Sequence, residues 1–391
     1  MKKILLCTAL ALSISLSSCK KNEPKQDESK DQIETDTTTA VVEKKVDTGV
    51  DKNGEASAVN PAFTDKGGEI VTWDNIVRAE TIKYMAAEQI ENGINKFRHE
   101  RNGIDLKNQT VIRSNFDLIY SYAVYDVSGG LKITVPPYDL YQIVQVLDEN
   151  SVTVGVCYPG QTLNIAAKDL SYGTHAYLFM RTQPKSYDEK GMEEMRKRQD
   201  IVTVEAGSAK PFVPEVKYDV ASFNKLRAEI IKRAVHEAVI EKGFIDNIKN
   251  ISKPQYQMIN LAGWAGLPAK HAYYFVVLPG DEGSKNGEHS SVTFKKPDLQ
   301  YAKAGYWSLT IYDEKGWVVT DPFHLNSNLV KLNKDGSITL NFNGGADAIN
   351  NIKVPKNWNG LFRCYLPTSV PSIIAYKEDF TKNHKVLSVK H

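Results

Sequence analysis

Two blocks of short β-branched and aromatic runs, parted by a charged stretch with helical spacing, limit what this chain can fold into. The first block has runs at 111–112, 120–127, 131–135, 141–147, 152–157 and 176–181. Ser128-Gly129-Gly130, Pro136-Pro137 and Pro159-Gly160 punctuate them. Proline has no N–H to give to a ladder and glycine weakens a strand interior, so these steps end strands. Several short strands at this spacing predict an all-β sandwich. The second block has runs at 273–278, 306–312, 317–320, 337–342 and 361–366, with Glu314-Lys315-Gly316 and Lys334-Asp335-Gly336 as hairpin turns. It is long enough for a jelly roll or a second sandwich.

Helical signals lie before and between these blocks. Thr72 is placed to cap a helix bearing Trp73, Ile76, Val77, Met85 and Ile90, with Asp74 in its first turn. Residues 188–199 read as a charged helix, and Pro211 and Pro214 break the chain after it. Asp219 or Ser222 then caps a helix with Phe223, Leu226, Ile230, Ala234 and Ala238 on one stripe, closed by Gly243. The expected class is mainly β with a helical segment. The expected divisions are 69–184 for the first helix and sandwich, 185–255 for the helical segment and 256–391 for the second β domain.

The first 68 residues read differently. Met1-Lys2-Lys3, an apolar stretch over 4–16 and Leu16-Ser17-Ser18-Cys19 have the order of a bacterial lipoprotein signal peptide. Cleavage after residue 18 and acylation of Cys19 are expected, and a multiply acylated terminus anchors stably to a membrane. The cell envelope, with the outer membrane foremost, is the expected location. Residues 19–68 are rich in Lys, Asp, Glu, Thr and Ser, with Phe63 the lone aromatic, and are expected to form a disordered tether. The mature chain of 391 − 18 = 373 residues has no other apolar run near the ~20 residues that a membrane helix needs.

The formal charge of +2 includes Lys2 and Lys3, so the mature protein has no basic field and no nucleic-acid partner is expected. Cys157 and Cys364 remain once Cys7 is removed and Cys19 is modified. Both lie in strand-like runs and are expected to be buried free thiols, although an exported protein also permits a disulfide.

Several chemistries are excluded by pattern. His236-Glu237-Ala238-Val239-Ile240 begins like a zincin helix, but Ile240 occupies the place of the second histidine. No Gly-x-Ser-x-Gly elbow, P-loop or dinucleotide fingerprint is present. No pair of histidines has metal-ligand spacing, and no cofactor is expected.

One polar cluster stands out. Lys96-Phe97-Arg98-His99-Glu100-Arg101 is followed by Arg113-Ser114-Asn115-Phe116-Asp117-Leu118-Ile119-Tyr120. If the second run is a strand, Arg113, Asn115 and Asp117 share one face. Such a face is costly to bury unpaired. One reading makes it a salt-bridge network pinning the first helix to the sheet. The other makes it the floor of a polar pocket near the seam of the two β domains, with His99 as an acid–base group. Asp117 and Asp148-Glu149 are candidates for paired-carboxylate glycoside chemistry, but Asp148-Glu149-Asn150 reads better as a turn. Trp264, Tyr306, Trp307 and Trp317 are candidates for a sugar-stacking platform, though strand aromatics are more often core.

These residues carry a resemblance. Val77-Arg78-Ala79-Glu80-Thr81 with Tyr84, then Lys96-Phe97, His99, Arg101, Thr110-Val111-Ile112-Arg113, Asn115, Asp117 and Tyr120-Ser121, resemble domain of unknown function 1254; Val146-Leu147-Asp148-Glu149 and Arg181-Thr182 continue the pattern. Gly263-Trp264-Ala265-Gly266, the run from Tyr306 through Asp313, Gly316, Asn326, Asp335-Gly336-Ser337 and Arg363-x-Tyr365 resemble domain of unknown function 1214. The resemblance implies an immunoglobulin-like N-terminal sandwich, a helical segment and a C-terminal jelly-roll-like domain. Leu118 and His324 depart from the usual residues, threonine and asparagine, and the usual Leu-Pro step after Asn357-Trp358 is missing.

The expected function is an envelope lipoprotein that binds a small polar or carbohydrate-like ligand. The candidate binding residues are His99, Arg101, Arg113, Asn115, Asp117, Tyr120 and Trp264. The alternatives are an envelope hydrolase acting on a glycan and a structural lipoprotein that contacts other proteins.

Overall fold

The computed structural model describes residues 46–390 except 104, 108 and 110–112. The signal peptide, Cys19, the first part of the tether and the run at 111–112 therefore lie outside the described residues. From Val46 onward the chain forms one unit.

Alternation builds the N-terminal sandwich. Strands β2 (Arg98–His99), β3 (Ile119–Asp126), β5 (Gln142–Leu147), β6 (Thr153–Cys157) and β8 (His175–Thr182) form one sheet in the order β2-β3-β8-β5-β6. Strands β4 (Leu131–Val135), β7 (Gln161–Ile165) and β9 (Thr203–Ala206) form the second, in the order β7-β4-β9. Every pairing in both sheets is antiparallel. Ala123, Tyr125, Val144, Val146, Leu178 and Met180 face Leu131, Ile133 and Ile165 across the core. The period of two turns Tyr120, Tyr122 and Arg181 to the opposite, outer face.

The C-terminal domain is a second two-sheet sandwich of eight strands. Its front sheet has the order β11-β17-β13-β14, built from β11 (Ala272–Val277), β13 (Tyr306–Tyr312), β14 (His324–Asn326) and β17 (Asn359–Tyr365). The back sheet runs β16-β15-β12-β18, from β12 (Ser290–Phe294), β15 (Ile338–Phe342), β16 (Asn351–Ile352) and β18 (Leu387–Ser388). Phe275, Trp307, Leu309 and Phe362 of the front sheet pack on Phe294, Leu340 and Phe342 of the back, with Phe380 of α6 (Val370–Asn383) closing one end. A short helix, α5 (Glu282–Lys285), follows β11.

Helices α1 (Ile76–Asn92), α3 (Val220–Glu237) and α4 (Gln255–Ala262) make a third layer, and α2 (Glu189–Asp200) lies beyond β8. Ile76, Ile82, Phe223, Ile230, Met258 and Leu261 fill a core shared with Tyr177 and Phe179 on the outer face of the N-terminal sheet. Asp219 caps α3 as expected, its Oδ1 accepting from Ser222 N at 2.7 Å. Thr72 does not cap α1. The helix starts at Ile76 after Asn75, and the Thr72 hydroxyl accepts from Asp74 N at 3.3 Å.

Two expectations are corrected. Residues 46–68 are ordered, not a free tether. Strand β1 (Phe63–Thr64) pairs in parallel with β10 (Tyr218–Asp219), and Ala62 and Phe63 are buried. Polar bonds fix this strap where its composition offers little apolar area. Asn60 Nδ2 donates to the carbonyls of Thr48 and Lys83, and Lys83 Nζ donates to the carbonyl of Gly54. The run 113–118 is not a strand either. Arg113 has φ 52°, in the left-handed region, and β3 begins only at Ile119.

Candidate functional site

The front sheet of the C-terminal sandwich has one apolar face and one polar face. Trp307, Leu309 and Ile311 point into the core, so Tyr306, Ser308, Thr310 and Tyr312 point out. Register sets Asn326 opposite Ser308, Ser308 opposite Arg363 and Arg363 opposite Tyr274. His324 stands opposite Thr310, and Tyr306 opposite Tyr365. This polar face is nevertheless buried, because the loop 113–118 crosses it.

The loop is fastened at several points. Arg113 N donates to the carbonyl of Gly316 at 2.8 Å, and Tyr312 OH donates to the carbonyl of Ser114 at 2.6 Å. Arg363 donates to the carbonyl of Arg113 at 2.9 Å and to Tyr312 OH at 2.8 Å through Nη2, and to Thr310 Oγ1 at 3.0 Å through Nη1. Asn115 Nδ2 donates to Tyr365 OH at 2.6 Å, while its Oδ1 accepts from Asp117 N at 2.9 Å. Phe116 packs edge-on against Phe323, with centroids 4.6 Å apart.

These contacts deliver Asp117 to the seam, where it is fully buried. Its Oδ1 accepts from Asn326 Nδ2 at 2.8 Å, and Tyr187 OH lies 3.4 Å from the same atom. His324 Nε2 lies 4.0 Å from Asp117 Oδ1, and the His324 and Tyr187 rings meet edge to face at 5.3 Å. Tyr187 is 38% exposed as a residue, while its phenol oxygen lies inward beside Asp117. Burial, reinforced by the Asp117 charge, holds the Tyr187 phenol well above its ordinary pKa. Burial, with Tyr365 and Asp117 adding to it, does the same to Tyr306. Both phenols therefore keep their protons at neutral pH.

Seven buried side-chain oxygen or nitrogen atoms among the described residues have no hydrogen-bond partner, and five belong to this seam. They are Asp117 Oδ2, His324 Nε2, Ser308 Oγ, Tyr306 OH and Tyr141 OH. Buried polar atoms are nearly always bonded, so five together set this seam apart from the rest of the described residues. The rings of Tyr306 and Tyr365 stack at 4.5 Å, with Tyr141 5.5 Å from Tyr306, and they wall the centre.

Of the candidate binding residues, Asn115, Asp117 and Tyr120 reach the seam. Arg113 contributes its carbonyl, while its exposed side chain lies 3.5 Å from Asn359 Oδ1. His99 and Arg101 do not join them. His99 Nδ1 is 2.8 Å from Ser121 Oγ, and burial with the Arg101 charge pushes its pKa down to about 4. Arg101 bonds Asp200 at 2.6 Å and the carbonyl of Arg196, so it ties the chain after β2 to α2, while His99 stays with Ser121 of β3. Trp264 belongs to the helical layer, 4.4 Å from Tyr84 and 4.9 Å from Tyr177. Trp307 lies in the C-terminal core, so the aromatic platform does not assemble. Asp148 organises a turn, its Oδ1 accepting from Asn150 N and Val152 N. The seam residues outside the candidate binding set are Tyr187, Tyr306, Ser308, His324 and Asn326, of which the sequence singles out Tyr306 only as a stacking aromatic. The signal for two of them was the alternation of Tyr306, Ser308 and Thr310 with Trp307 and Leu309. Among the described residues no group of three or more His, Cys, Asp or Glu is arranged to hold a metal ion, and no helix is long and apolar enough to cross a membrane.

Comparison with known proteins places these features in a family. Residues 94–198 match the protein family of unknown function DUF1254, and residues 272–369 match the protein family of unknown function DUF1214. Asn115, Asp117 and Tyr187 fall in the first match, and Tyr306, Ser308, His324, Asn326 and Arg363 in the second. No curated protein matches the chain. The crystal structure of the VPA0106 protein from Vibrio parahaemolyticus is similar, with a TM-score of 0.56 and 16% identity over 75% of this chain and 93% of that one. An uncharacterized protein from Burkholderia cenocepacia has a TM-score of 0.38 and 12% identity, over 65% of this chain and 74% of the other. With both matches in the expected order, one on each side of the seam, the chain belongs to the two-domain family that joins DUF1254 to DUF1214.

Proposed function

We propose that this protein is an envelope lipoprotein, anchored through lipid on Cys19, that binds a small polar or carbohydrate-like ligand at the Asp117 seam. The observation that carries the binding reading is the set of unpartnered buried atoms on Asp117, Ser308, Tyr306 and His324. A carboxylate, two hydroxyls and an imidazole offer the mixed donors and acceptors that a ligand rich in hydroxyl groups needs. Phenol rings beside them supply apolar wall. Binding is favoured over hydrolysis by paired carboxylates, because Asp148, the other carboxylate weighed for that chemistry, is held in a turn with its Oδ1 accepting from Asn150 N and Val152 N.

The anchor rests on the sequence ending in Cys19. Metabolic labelling with a fatty acid tests it: the parent should label and sediment with membranes, and Cys19→Ser should do neither. A labelled, membrane-bound Cys19→Ser protein sinks that part of the reading. Calorimetric titration of the full chain with monosaccharides tests the other part. Binding that Ser308→Ala and Tyr306→Phe weaken together supports the seam, whereas binding that neither changes places the ligand elsewhere.

A further inference from the structure

We infer that the Asp117 centre takes a protonated primary amine, so that its ligand is an amino sugar or a similarly sized ammonium compound. The inference rests on the seam reading and adds the charge of the guest.

Among the described residues, the fully buried Asp117 carboxylate has one ion-pair partner within reach, the His324 imidazole at 4.0 Å, and no Lys or Arg. Two buried arginines lie along the seam, but both are committed elsewhere. Arg363 donates to Thr310, Tyr312 and the carbonyls of Arg113 and Ser114. Arg181 donates to Gln145 Oε1 and the carbonyl of Ala265, with its guanidinium 3.9 Å from the Phe179 ring. A carboxylate held this deep is costly unless a cation or several donors meet it.

The unpartnered atoms show what kind of group fits. Asp117 Oδ2 can only accept. Ser308 Oγ and Tyr306 OH each carry lone pairs, as does His324 Nε2 when its proton sits on Nδ1. An ammonium group has three donors and no acceptor, and it also supplies the missing charge. The faces of Tyr306 and Tyr365, stacked at 4.5 Å, favour a cation beside them. A neutral hydroxyl satisfies the bonds and leaves the charge unmatched, and an anion meets Asp117 directly.

The test titrates the full chain at neutral pH with D-glucosamine, D-glucose and N-acetyl-D-glucosamine. Glucosamine is expected to bind about tenfold or more tightly than the other two. Asp117→Asn is expected to lower glucosamine affinity about 30-fold and to abolish the preference, with folding checked by thermal melting. Ser308→Ala, a milder change, is expected to weaken glucosamine about fivefold. Equal binding of glucose and glucosamine, unchanged by Asp117→Asn, overturns the amine inference and leaves the seam reading intact. Failure of all three sugars to bind overturns both.

Discussion

Asn326 Nδ2 donates to Asp117 Oδ1 at 2.8 Å, joining residues 209 positions apart. The bond links the loop before β3 to the edge strand of the C-terminal front sheet. Asp117→Ala leaves the buried Asn326 amide without this acceptor, which should lower stability by about 1–3 kcal/mol. Asp117→Asn keeps an acceptor oxygen and removes the buried charge, so its unfolding free energy should equal or exceed the parent's. Urea denaturation of the three proteins measures this. An Asn variant as unstable as the Ala variant means that the charge itself is compensated in the fold.

Arg363 holds the same loop through the carbonyls of Arg113 and Ser114 while bonding Thr310 and Tyr312. A lysine has one ammonium in place of a planar fork and cannot reach all these acceptors. Arg363→Lys should therefore destabilise by about 2 kcal/mol or more, through carbonyls left unsatisfied. Hydrogen exchange should show the extra opening at 113–118 first. Unchanged protection of that loop in the variant argues against Arg363 as its clamp.

Cys157 and Cys364 are free and buried, each in the core of a different sandwich. Burial pushes both thiols up from their ordinary pKa, which suppresses the reactive thiolate. In the native protein a disulfide-exchange reagent should label neither at an appreciable rate, and both should react on unfolding. Fast labelling of either thiol under native conditions counts against these cores.

The β–helix–β order was legible because alternation and turn residues are local. Tyr306-Trp307-Ser308-Leu309-Thr310 shows its strand in five residues. The site was legible only in part. Asp117 stands out by its polar neighbours in sequence, but His99, an acid–base candidate only because it is close in sequence, lies apart from it against Ser121. The true neighbours, Asn326 and His324, arrive through a sandwich register that no local pattern encodes. Arg113-Ser114-Asn115-Phe116-Asp117 looked like a strand because polar and apolar residues alternate. A left-handed Arg113 and bonds to the second domain decide its path instead. The strap at 46–68 was misread because its order comes from backbone carbonyls bonded to Lys83 and Arg227, which composition does not register.

His271 shows how one group sets a pH dependence. Its Nδ1 is 2.7 Å from Tyr158 OH, and burial with the Lys270 charge pushes its pKa down from 6.5 to about 4. Between these values the unfolded chain binds a proton that the folded chain refuses. Stability from this group is full above pH 6.5 and is lost as pH falls toward 4. Glu149 has the opposite sign. Burial pushes it up from 4.5 to about 7, so its contribution is full below pH 4.5 and fades as pH rises through 7. The two slopes oppose each other, so the informative experiment compares His271→Gln with the parent from pH 7 to 4. The variant should lose stability less steeply on acidification. Parallel curves mean that His271 titrates alike in both states.

The strap at 46–68 is held by a buried charge cluster. Lys83 Nζ donates to Glu80 at 2.8 Å and to the carbonyl of Gly54, and Arg227 bonds Glu80 and the carbonyl of Asn53. Asn60, fully buried, bonds the carbonyls of Thr48 and Lys83. Gly54 has φ 77°, and a Cβ there collides with the Arg227 guanidinium. Limited proteolysis of the parent should leave a resistant core that begins near Val46. In Asn60→Ala, the buried Lys83 carbonyl loses its donor at about 1–3 kcal/mol and the half-buried Thr48 carbonyl loses one as well, and in Gly54→Ala the arginine is displaced. Both variants should be trimmed back past Lys66 while the two sandwiches stay intact. Mass spectrometry of the fragments reads the new terminus directly. A parent core that already begins near Ile70 means that the strap is not held in solution.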